Sequence, residues 1–186
     1  MNLVLETDRL TLRPVQMEDA AEIQRMASHP LVAASTTIPH PYPIDGAVEF
    51  IELTIQQLKA GQGYTFGSHL KESGSLIGLT GLGVDSDNRR AELGYWVGVD
   101  YWNHGYATES ASKVLEFAFG QLNLNRVHAA YYTFNPASNR VQRKIGMQPE
   151  GIFRQHLLKN NKFIDVAYNA ILAEEWHALH PTGASV

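Results

Sequence analysis

The sequence predicts an α+β or mixed α/β fold built around a largely antiparallel sheet. Three strand patterns, at residues 64–70, 76–84 and 91–99, follow one another with turn-forming segments between them, as in a meander. A long amphipathic helix pattern at residues 106–122 follows the meander, and a strand, a short helix and a final hairpin come after it. Elements that are grouped and mixed in this way indicate that fold class.

The N-terminal third is predicted to form a strand, a helix, an irregular segment and a second helix. Residues 10–14 alternate apolar and polar side chains and stop at a proline, and residues 19–28 have one apolar helical face. Four prolines between His29 and Asp45 predict a loop or a broken helix, because proline lacks an amide donor and restricts its predecessor. Asp45 is predicted to cap a helix that ends at Gly61.

The C-terminal part is predicted to add a strand, a helix and a hairpin. Residues 127–133 read as a strand, and Asn135 followed by Pro136 is typical of a helix start, with Gly146 as the matching stop. Strands at residues 152–158 and 163–173 are predicted to pair around an Asn160-Asn161 turn.

Composition limits the classes of function that the chain can have. Its 186 residues are expected to form one domain over residues 1–180, with a frayed tail at 181–186. The net charge of −4, without a cluster of Lys or Arg, argues against binding to nucleic acid or to a membrane surface. The lack of cysteine excludes disulfides, Cys-based zinc sites and thiol nucleophiles. With no apolar run of membrane-spanning length and no signal-peptide pattern, a cytoplasmic protein is predicted.

The segment that joins the third meander strand to the long helix is the main candidate for ligand binding. The first turn of a helix has free N–H groups and a partial positive charge, so anions bind there. Gly105 allows the backbone to approach a diphosphate, and Ala107 keeps the next turn thin. Neither a Walker loop nor a G-x-G-x-x-G fingerprint is present. The alternative is an ordinary connection in which Gly105 only makes the turn.

The run Trp102-x-x-Gly105-x-Ala107 resembles the acetyl-CoA loop of the GNAT N-acetyltransferase superfamily, Arg/Gln-x-x-Gly-x-Gly/Ala, with Trp in place of Arg or Gln. Together with Tyr95-Trp96-Val97 before it, the run is similar to the RimJ/RimL branch, which is associated with acetylating the α-amino groups of ribosomal proteins. The resemblance continues through residues 5–14, 135–147 and 160–176, which covers nearly the whole chain.

This resemblance implies a single-domain fold of about seven strands and about four helices, with acetyl-CoA as co-substrate. The acceptor is then a primary amine, either a protein N-terminus or a small molecule such as an antibiotic, an amino acid or a polyamine, and a homodimer is expected. A chain without cysteine favours direct attack in a ternary complex. A non-catalytic sensor of acyl-CoA is the alternative from another class. The implied coenzyme contacts are Val97, Val99, Asn103, His104, Gly105, Tyr106, Ala107, Thr108, Asn135 and Arg140.

Acetyl transfer to an amine needs a neutral nucleophile, a stabilised oxyanion and a proton donor for the leaving thiolate. Glu92 is the candidate general base, because strand alternation places it on one face with Gly94 and Trp96. The alternative is a solvated carboxylate, or one paired with a neighbouring arginine. The resemblance also implies that the Val97 N–H is an oxyanion donor.

Ser138 is the candidate acid, placed near the thioester sulfur by the resemblance. A serine in the first turn of a helix also satisfies a helix amide, which is its structural alternative. Three tyrosines are alternative proton donors, because phenols are stronger acids than alcohols: Tyr131, Tyr132 and Tyr168. In the same way, Asn135 fits a helix cap as well as a coenzyme contact, and Arg140 fits a solvated cation.

The irregular segment before the second helix is predicted to shape the acceptor pocket through His40 and Tyr42, because loops often carry binding residues. No metal site is predicted. His177 and His180 lie beside two glutamates near the end of the chain, but the sequence has no HExxH motif.

Overall fold

The computed structural model describes residues 3–181, so the tail predicted for 181–186 lies, beyond Pro181, outside the described residues. Its centre is an eight-stranded sheet in the order β1-β2-β3-β4-β5-β6-β8-β7. Every neighbouring pair is antiparallel except β5 and β6, which are parallel. The strands are β1 (Leu5–Glu6), β2 (Leu10–Pro14), β3 (Gly63–Leu70), β4 (Leu76–Asp85), β5 (Arg90–Val97), β6 (Arg126–Tyr132), β7 (Gln148–Lys159) and β8 (Lys162–Leu172).

Six helices within residues 3–181 flank this sheet, and the predicted mixed fold with a mostly antiparallel sheet is confirmed. Two short 3-10 turns, Met17–Asp19 and Val99–Tyr101, connect elements. No helix among residues 3–181 combines the length and the apolar character needed to cross a bilayer. The helices are α1 (Ala20–Ala27), α2 (Pro30–Ser35), α3 (Gly46–Ala60), α4 (Tyr106–Gly120), α5 (Pro136–Lys144) and α6 (Ala173–Leu179).

The structure adds two short helices to the four that the sequence predicts. The helix α2 begins inside the proline-rich segment, because Pro30 occupies a first-turn position where a missing N–H costs nothing and the His29 ring caps the Leu31 amide. The helix α6 follows the last strand, and the Glu175 carboxylate accepts a hydrogen bond from the Leu172 amide at its start.

The strand predicted at residues 91–99 is too long by two residues. β5 ends at Val97, and Val99 opens a 3-10 turn in which its carbonyl accepts the Trp102 amide at 3.1 Å. The Gly98 amide still donates to the Ile77 carbonyl at 2.9 Å, so the chain leaves the sheet immediately after that bond.

Helices pack on both faces of the sheet, but on one of them they cover only part of its width. On one face α4 buries Val114 and Leu115 in a cluster with Leu93 of β5 and Val127 of β6. On the other face α1 and α3 form a second buried cluster with β4, which includes Ile51. This arrangement follows from the single apolar face of each helix and from the alternation of side chains along the strands.

The parallel contact between β5 and β6 is short, and this positions the candidate site. The strands pair only at Arg90 with Arg126, Ala91 with Val127 and Glu92 with His128. Beyond that point β5 continues to Val97 alongside β4, and β6 continues to Tyr132 alongside β8. The sheet is therefore open between the two strands, with the start of α4 at the mouth of the opening.

Candidate active site

A cleft of about 540 Å³ lies where β5 and β6 separate. Its walls come from α2, the end of β5, the loop before α4, the first turn of α4, and α5. Among the described residues that line it, the charged ones are Arg140 and Lys144, both cations and one helical turn apart on α5. A cleft with two cations and no lining acid suits an anionic ligand.

The first turn of α4 supplies the backbone groups that such a ligand needs. Gly105 has φ +82° at the N-cap, a conformation that favours glycine, and no side chain caps this helix end. Tyr106, Ala107 and Thr108 line the cleft, so the free N–H groups of the turn lie at its wall. These features fit the diphosphate of a coenzyme, which binds through backbone amides and the helix dipole.

The loop before α4 is held by the tryptophan that replaces the Arg or Gln of the sequence motif. The Trp102 indole N–H donates a 2.7 Å hydrogen bond to the Val97 carbonyl at the end of β5. Asn103, next to it, lines the cleft and has φ +64°. The indole therefore ties the loop to the end of β5, from which the loop departs. The Val97 carbonyl already accepts the indole hydrogen bond.

Two of the residues suggested for coenzyme contact do not line the cleft. His104 turns away from it, stacks on the Tyr106 ring with centroids 5.6 Å apart, and donates from Nδ1 to the Trp102 carbonyl at 2.8 Å. Val99 lies in the 3-10 turn with its carbonyl bonded to the Trp102 amide. Val97, by contrast, lines the cleft.

Ser138, in the first turn of α5, faces the cleft within a network of polar side chains. The Tyr95 hydroxyl lies 2.9 Å from Ser138 Oγ and donates to the Ser138 carbonyl at 3.0 Å. The buried Gln142 amide donates to Ser138 Oγ at 3.4 Å and is itself held by Asn169 at 2.8 Å. Burial raises the pKa of Tyr95, with hydrogen bonds from its neighbours acting against that effect. Tyr95 is therefore a neutral phenol that orients the serine.

Asn135 has the structural role of a cap and also lines the cleft. Its side-chain carbonyl accepts the Ser138 amide at 3.2 Å, and its amide group donates to the Ser35 carbonyl of α2 at 3.3 Å. It thereby joins α5 to α2 across the cleft. Arg140 follows on the same wall and is exposed.

Glu92 lies on the opposite face of the sheet from α4, as strand alternation predicts, together with Gly94 and Trp96. It is exposed and is not among the residues that line the cleft. Glu92 pairs with His128, and these two residues form the last pair before β5 and β6 separate. Burial lowers the pKa of His128, and the Glu92 carboxylate partly offsets this. Burial and then Glu92 raise the pKa of Tyr168, which lies on the same face.

The two residues proposed for the acceptor pocket do not line the cleft either. Tyr42 packs on the cluster beneath α1 and α3, where its ring leaves little room beside Gly46, and burial raises its pKa. His40 is exposed in the preceding loop. The segment that does reach the cleft is α2, through Val32 and Ser35, together with Thr36 immediately after it. Within residues 3–181 no group of three His, Asp or Glu side chains is arranged to hold a metal ion.

Sequence reasoning also missed Arg9 and Lys144. Arg9 lies in the turn before β2, with its guanidinium 4.5 Å above the Tyr106 ring and bonded to the His104 carbonyl at 3.1 Å. No local motif signals this contact, which joins residues 95 positions apart. Lys144 has a signal in its spacing of four residues from Arg140 on the same helix.

Comparison with known proteins places this geometry in a family. The family model "Acetyltransferase (GNAT) domain" matches residues 9–148. The uncharacterized N-acetyltransferase YoaA of Bacillus subtilis is 33% identical over 170 residues, which are 91% of this chain and 96% of YoaA. The putative ribosomal N-acetyltransferase YdaF of the same organism is 36% identical over 104 residues, or 55% of this chain and 57% of YdaF.

Solved structures have the same fold. A GNAT-family acetyltransferase from Bacillus anthracis superposes with a TM-score of 0.82 at 26% identity, covering 92% of this chain and 99% of its own. RimJ of Mycobacterium smegmatis, in complex with CoA-disulfide, superposes with a TM-score of 0.83 at 24% identity, covering 94% and 89%. The resemblance drawn from the sequence is confirmed: the chain belongs to the GNAT family of acetyl-CoA-dependent N-acetyltransferases.

Proposed function

We propose that the chain acetylates a primary amine by direct attack on the thioester in a ternary complex, and that the amine is the N-terminal α-amino group of a protein. The observation that carries this proposal is the opening in the sheet beyond Glu92 and His128. The free amides of α4 lie on one side of that opening, and Glu92 lies on the other face of the sheet. Donor and acceptor can therefore approach from opposite faces and meet between the strands.

The donor side rests on residues that fit a diphosphate and its extended arm. The amides of Tyr106, Ala107 and Thr108 would hold the diphosphate, and Arg140 and Lys144 would balance its charge. Bound there, acetyl-CoA supplies an activated acyl group as a thioester. Ser138, with its rotamer fixed by Tyr95, would donate a hydrogen bond toward the sulfur.

The acceptor side is the open outer face of the sheet. Gly94 lies on this face of β5, and a Cβ added there would meet no atom within 4 Å. Glu92 and Tyr168 lie beside it on the same face. A free α-amino group has a pKa of about 7.7–8.0, so a fraction of the acceptor molecules is already neutral near pH 7. Glu92 would remove a proton from the acceptor molecules that are still protonated.

The choice of a protein N-terminus is supported by the similarity to YdaF, whose name describes a putative ribosomal N-acetyltransferase. The open outer face at Glu92 and Gly94 supports it too, because a polypeptide can approach it end-on and leave the rest of its chain in solvent. A small amine is the alternative acceptor, and a sensor without turnover is the alternative function.

The test is a thiol-release assay with acetyl-CoA against two panels of acceptors, peptides with free N-termini and small amines such as spermidine and lysine amide. We expect turnover with the peptides. Turnover confined to the small amines would replace the acceptor that we propose. Tight acetyl-CoA binding in calorimetry with no turnover in either panel would favour the sensor.

Two substitutions test the assigned roles. Glu92→Gln should lower kcat by about 100-fold, and Ser138→Ala should lower it by about 10-fold, with acetyl-CoA affinity unchanged in both. Glu116→Gln is the control, because Glu116 is an exposed carboxylate on α4 that pairs only with Lys113 among the described residues. Full activity of Glu92→Gln would remove Glu92 from the mechanism.

A further inference from the structure

We propose that His128 relays to solvent the proton that Glu92 removes from the acceptor amine; this inference rests on the proposed function. The argument uses three independent observations: the register of the two strands, the missing partner of one ring nitrogen, and the charges that surround the ring.

The register places the two side chains next to each other. Glu92 and His128 are paired in the parallel contact, so their side chains lie on the same face of neighbouring strands, which are about 4.8 Å apart. They form the last pair before the opening, so one edge of the pair faces the gap where the amine would enter. Glu92 is exposed and His128 is half-buried behind it.

The His128 ring has an unused nitrogen. Its Nδ1 is buried and has no hydrogen-bond partner among the described residues. A histidine with a purely structural role usually pairs its nitrogens, and His69 does so with the Gly67 carbonyl at 3.0 Å and with Asp19 at 3.3 Å. A buried polar atom left unpaired destabilises the fold, which gives a reason to expect a functional use for this nitrogen.

The charges around the ring keep it ready to accept a proton. Burial lowers the pKa of His128, and the cations Arg126, on its own strand, and Arg90, on β5, act in the same direction. Glu92 on β5 and Glu150 on β7 raise it. Tyr168 on β8 also packs near the ring, with centroids 6.3 Å apart. The ring is therefore neutral at neutral pH, and a proton held by Glu92 would find a free base beside it.

The proton balance of the reaction requires such a route. Two protons leave the nitrogen of an alkylammonium acceptor as its N–C bond forms. One of them neutralises the thiolate released when the C–S bond breaks. The other must reach solvent, and we assign it the path from the ammonium to the Glu92 carboxylate, then to the His128 ring, then to water.

The first test measures the coupling between the two groups without any acceptor. In protein labelled with 13C-histidine, the ring resonance of His128 is identified by its loss in His128→Gln, and its pKa is read from an NMR titration. In Glu92→Gln we expect this pKa to fall by about half a unit or more, because the carboxylate that raised it is gone. Glu150→Gln is the control and should give a smaller shift. A titration unchanged by Glu92→Gln overturns the proposal.

The second test follows turnover with the best peptide of the panel. His128→Ala should lower kcat by about 10-fold and displace the acidic limb of the pH profile, leave acetyl-CoA affinity unchanged, and regain activity with added imidazole. His156→Ala is the matched control, since His156 also packs near Tyr168 but lies on β7, away from the opening. Wild-type kcat and pH profile in His128→Ala would remove the relay and leave the proposed function intact. A wild-type protein without turnover would remove the proposed function, and the NMR titration would still decide the coupling.

Discussion

Arg9 and Glu109 form an ion pair that fastens the turn before β2 to the first turn of α4. Arg9 Nε and Nη2 lie 2.7 and 2.6 Å from Glu109 Oε2, and the Arg9 amide donates to Oε1 at 3.0 Å. The Thr7 hydroxyl donates to the same carboxylate at 2.6 Å. With its bond to the His104 carbonyl, Arg9 holds both the loop and the helix that flank Gly105.

We expect Arg9→Met to weaken acetyl-CoA binding by about 10-fold, because charge-assisted hydrogen bonds contribute about 1.5–3 kcal/mol and this one shapes the binding loop. Calorimetric titration measures the change. Arg25→Met is the matched control, since Arg25 makes a similar two-point pair with Glu22 on α1, outside the cleft. Equal affinity in the Arg9 and Arg25 variants would show that the ion pair does not shape the site.

Gly105→Ala should lower acetyl-CoA affinity by more than about 10-fold. The residue has φ +82°, where a side chain costs about 1–2 kcal/mol, and a shift of this turn would move the amides that we propose hold the diphosphate. The new methyl group would also lie 3.6 Å from Arg9 Nη2, which belongs to the side chain that holds this loop. Gly61→Ala carries the same backbone strain at φ +68°, with open space around its Cβ and no place in the cleft. Comparable losses of affinity in the two variants would mean that strain alone is responsible.

Gly94→Val tests whether the acceptor lies on the outer face of the sheet. The added side chain meets open space and suits a strand, so the free energy of unfolding should change by less than about 1 kcal/mol. It would occupy the open space beside Glu92 where we propose that the acceptor binds, so kcat/KM for the amine should fall by more than about 10-fold at unchanged acetyl-CoA affinity. Gly94→Ala should have an intermediate effect. If both variants acetylate peptides as well as the wild type, the acceptor does not bind there.

Asp19 provides a prediction for the stability of the fold. Burial alone would raise the pKa of this carboxyl, but hydrogen bonds from His69, Arg13 and the Gln16 amide outweigh burial and lower it to about 2. Because this pKa is lower than the 3.8 of an ordinary aspartate, the carboxylate stabilises the fold above pH 3.8, and the contribution is lost as the pH falls toward 2.

Asp19→Asn should therefore lower the free energy of unfolding by about 2–3 kcal/mol at pH 7 and flatten its decline in acid. Urea denaturation at a series of pH values measures both quantities. Asp100→Asn is a suitable control, because its side chain is 75% exposed and its nearest cation, Arg25, is 3.9 Å away. An acid decline as steep in Asp19→Asn as in the wild type would contradict the role assigned to this carboxylate.

The parts of the fold that the sequence predicts are those set by local patterns. Alternation along β5 places Glu92 and Gly94 on one face, and the Asn135-Pro136 pair marks the start of α5. The short helix α2 is less visible, because its apolar face is brief and lies among prolines that on their own predict a loop.

The site is less predictable than the fold, because several of its contacts join distant parts of the chain. The turn at Gly105 can be found from its motif, and the cap at Asn135 from its neighbours. The contact of Tyr95 with Ser138 spans 43 positions, and the pairing of Glu92 with His128 depends on strand register. For the wall of the cleft, the local pattern is misleading. The proline-rich composition favours His40 and Tyr42 as pocket residues, whereas residues of α2 line the cleft.

The short parallel contact between β5 and β6 also has a consequence for the folding energy of the molecule. Only three residue pairs join the five strands on one side to the three on the other, so this seam is a weak line through the middle of the sheet. A ligand that lies across the seam contacts both halves of the sheet and so stabilises their association. Because such a ligand binds only to the folded state, the apparent free energy of unfolding rises with the ligand concentration. With acetyl-CoA bound as we propose, the resistance of the enzyme to unfolding would rise with the concentration of its own acyl donor.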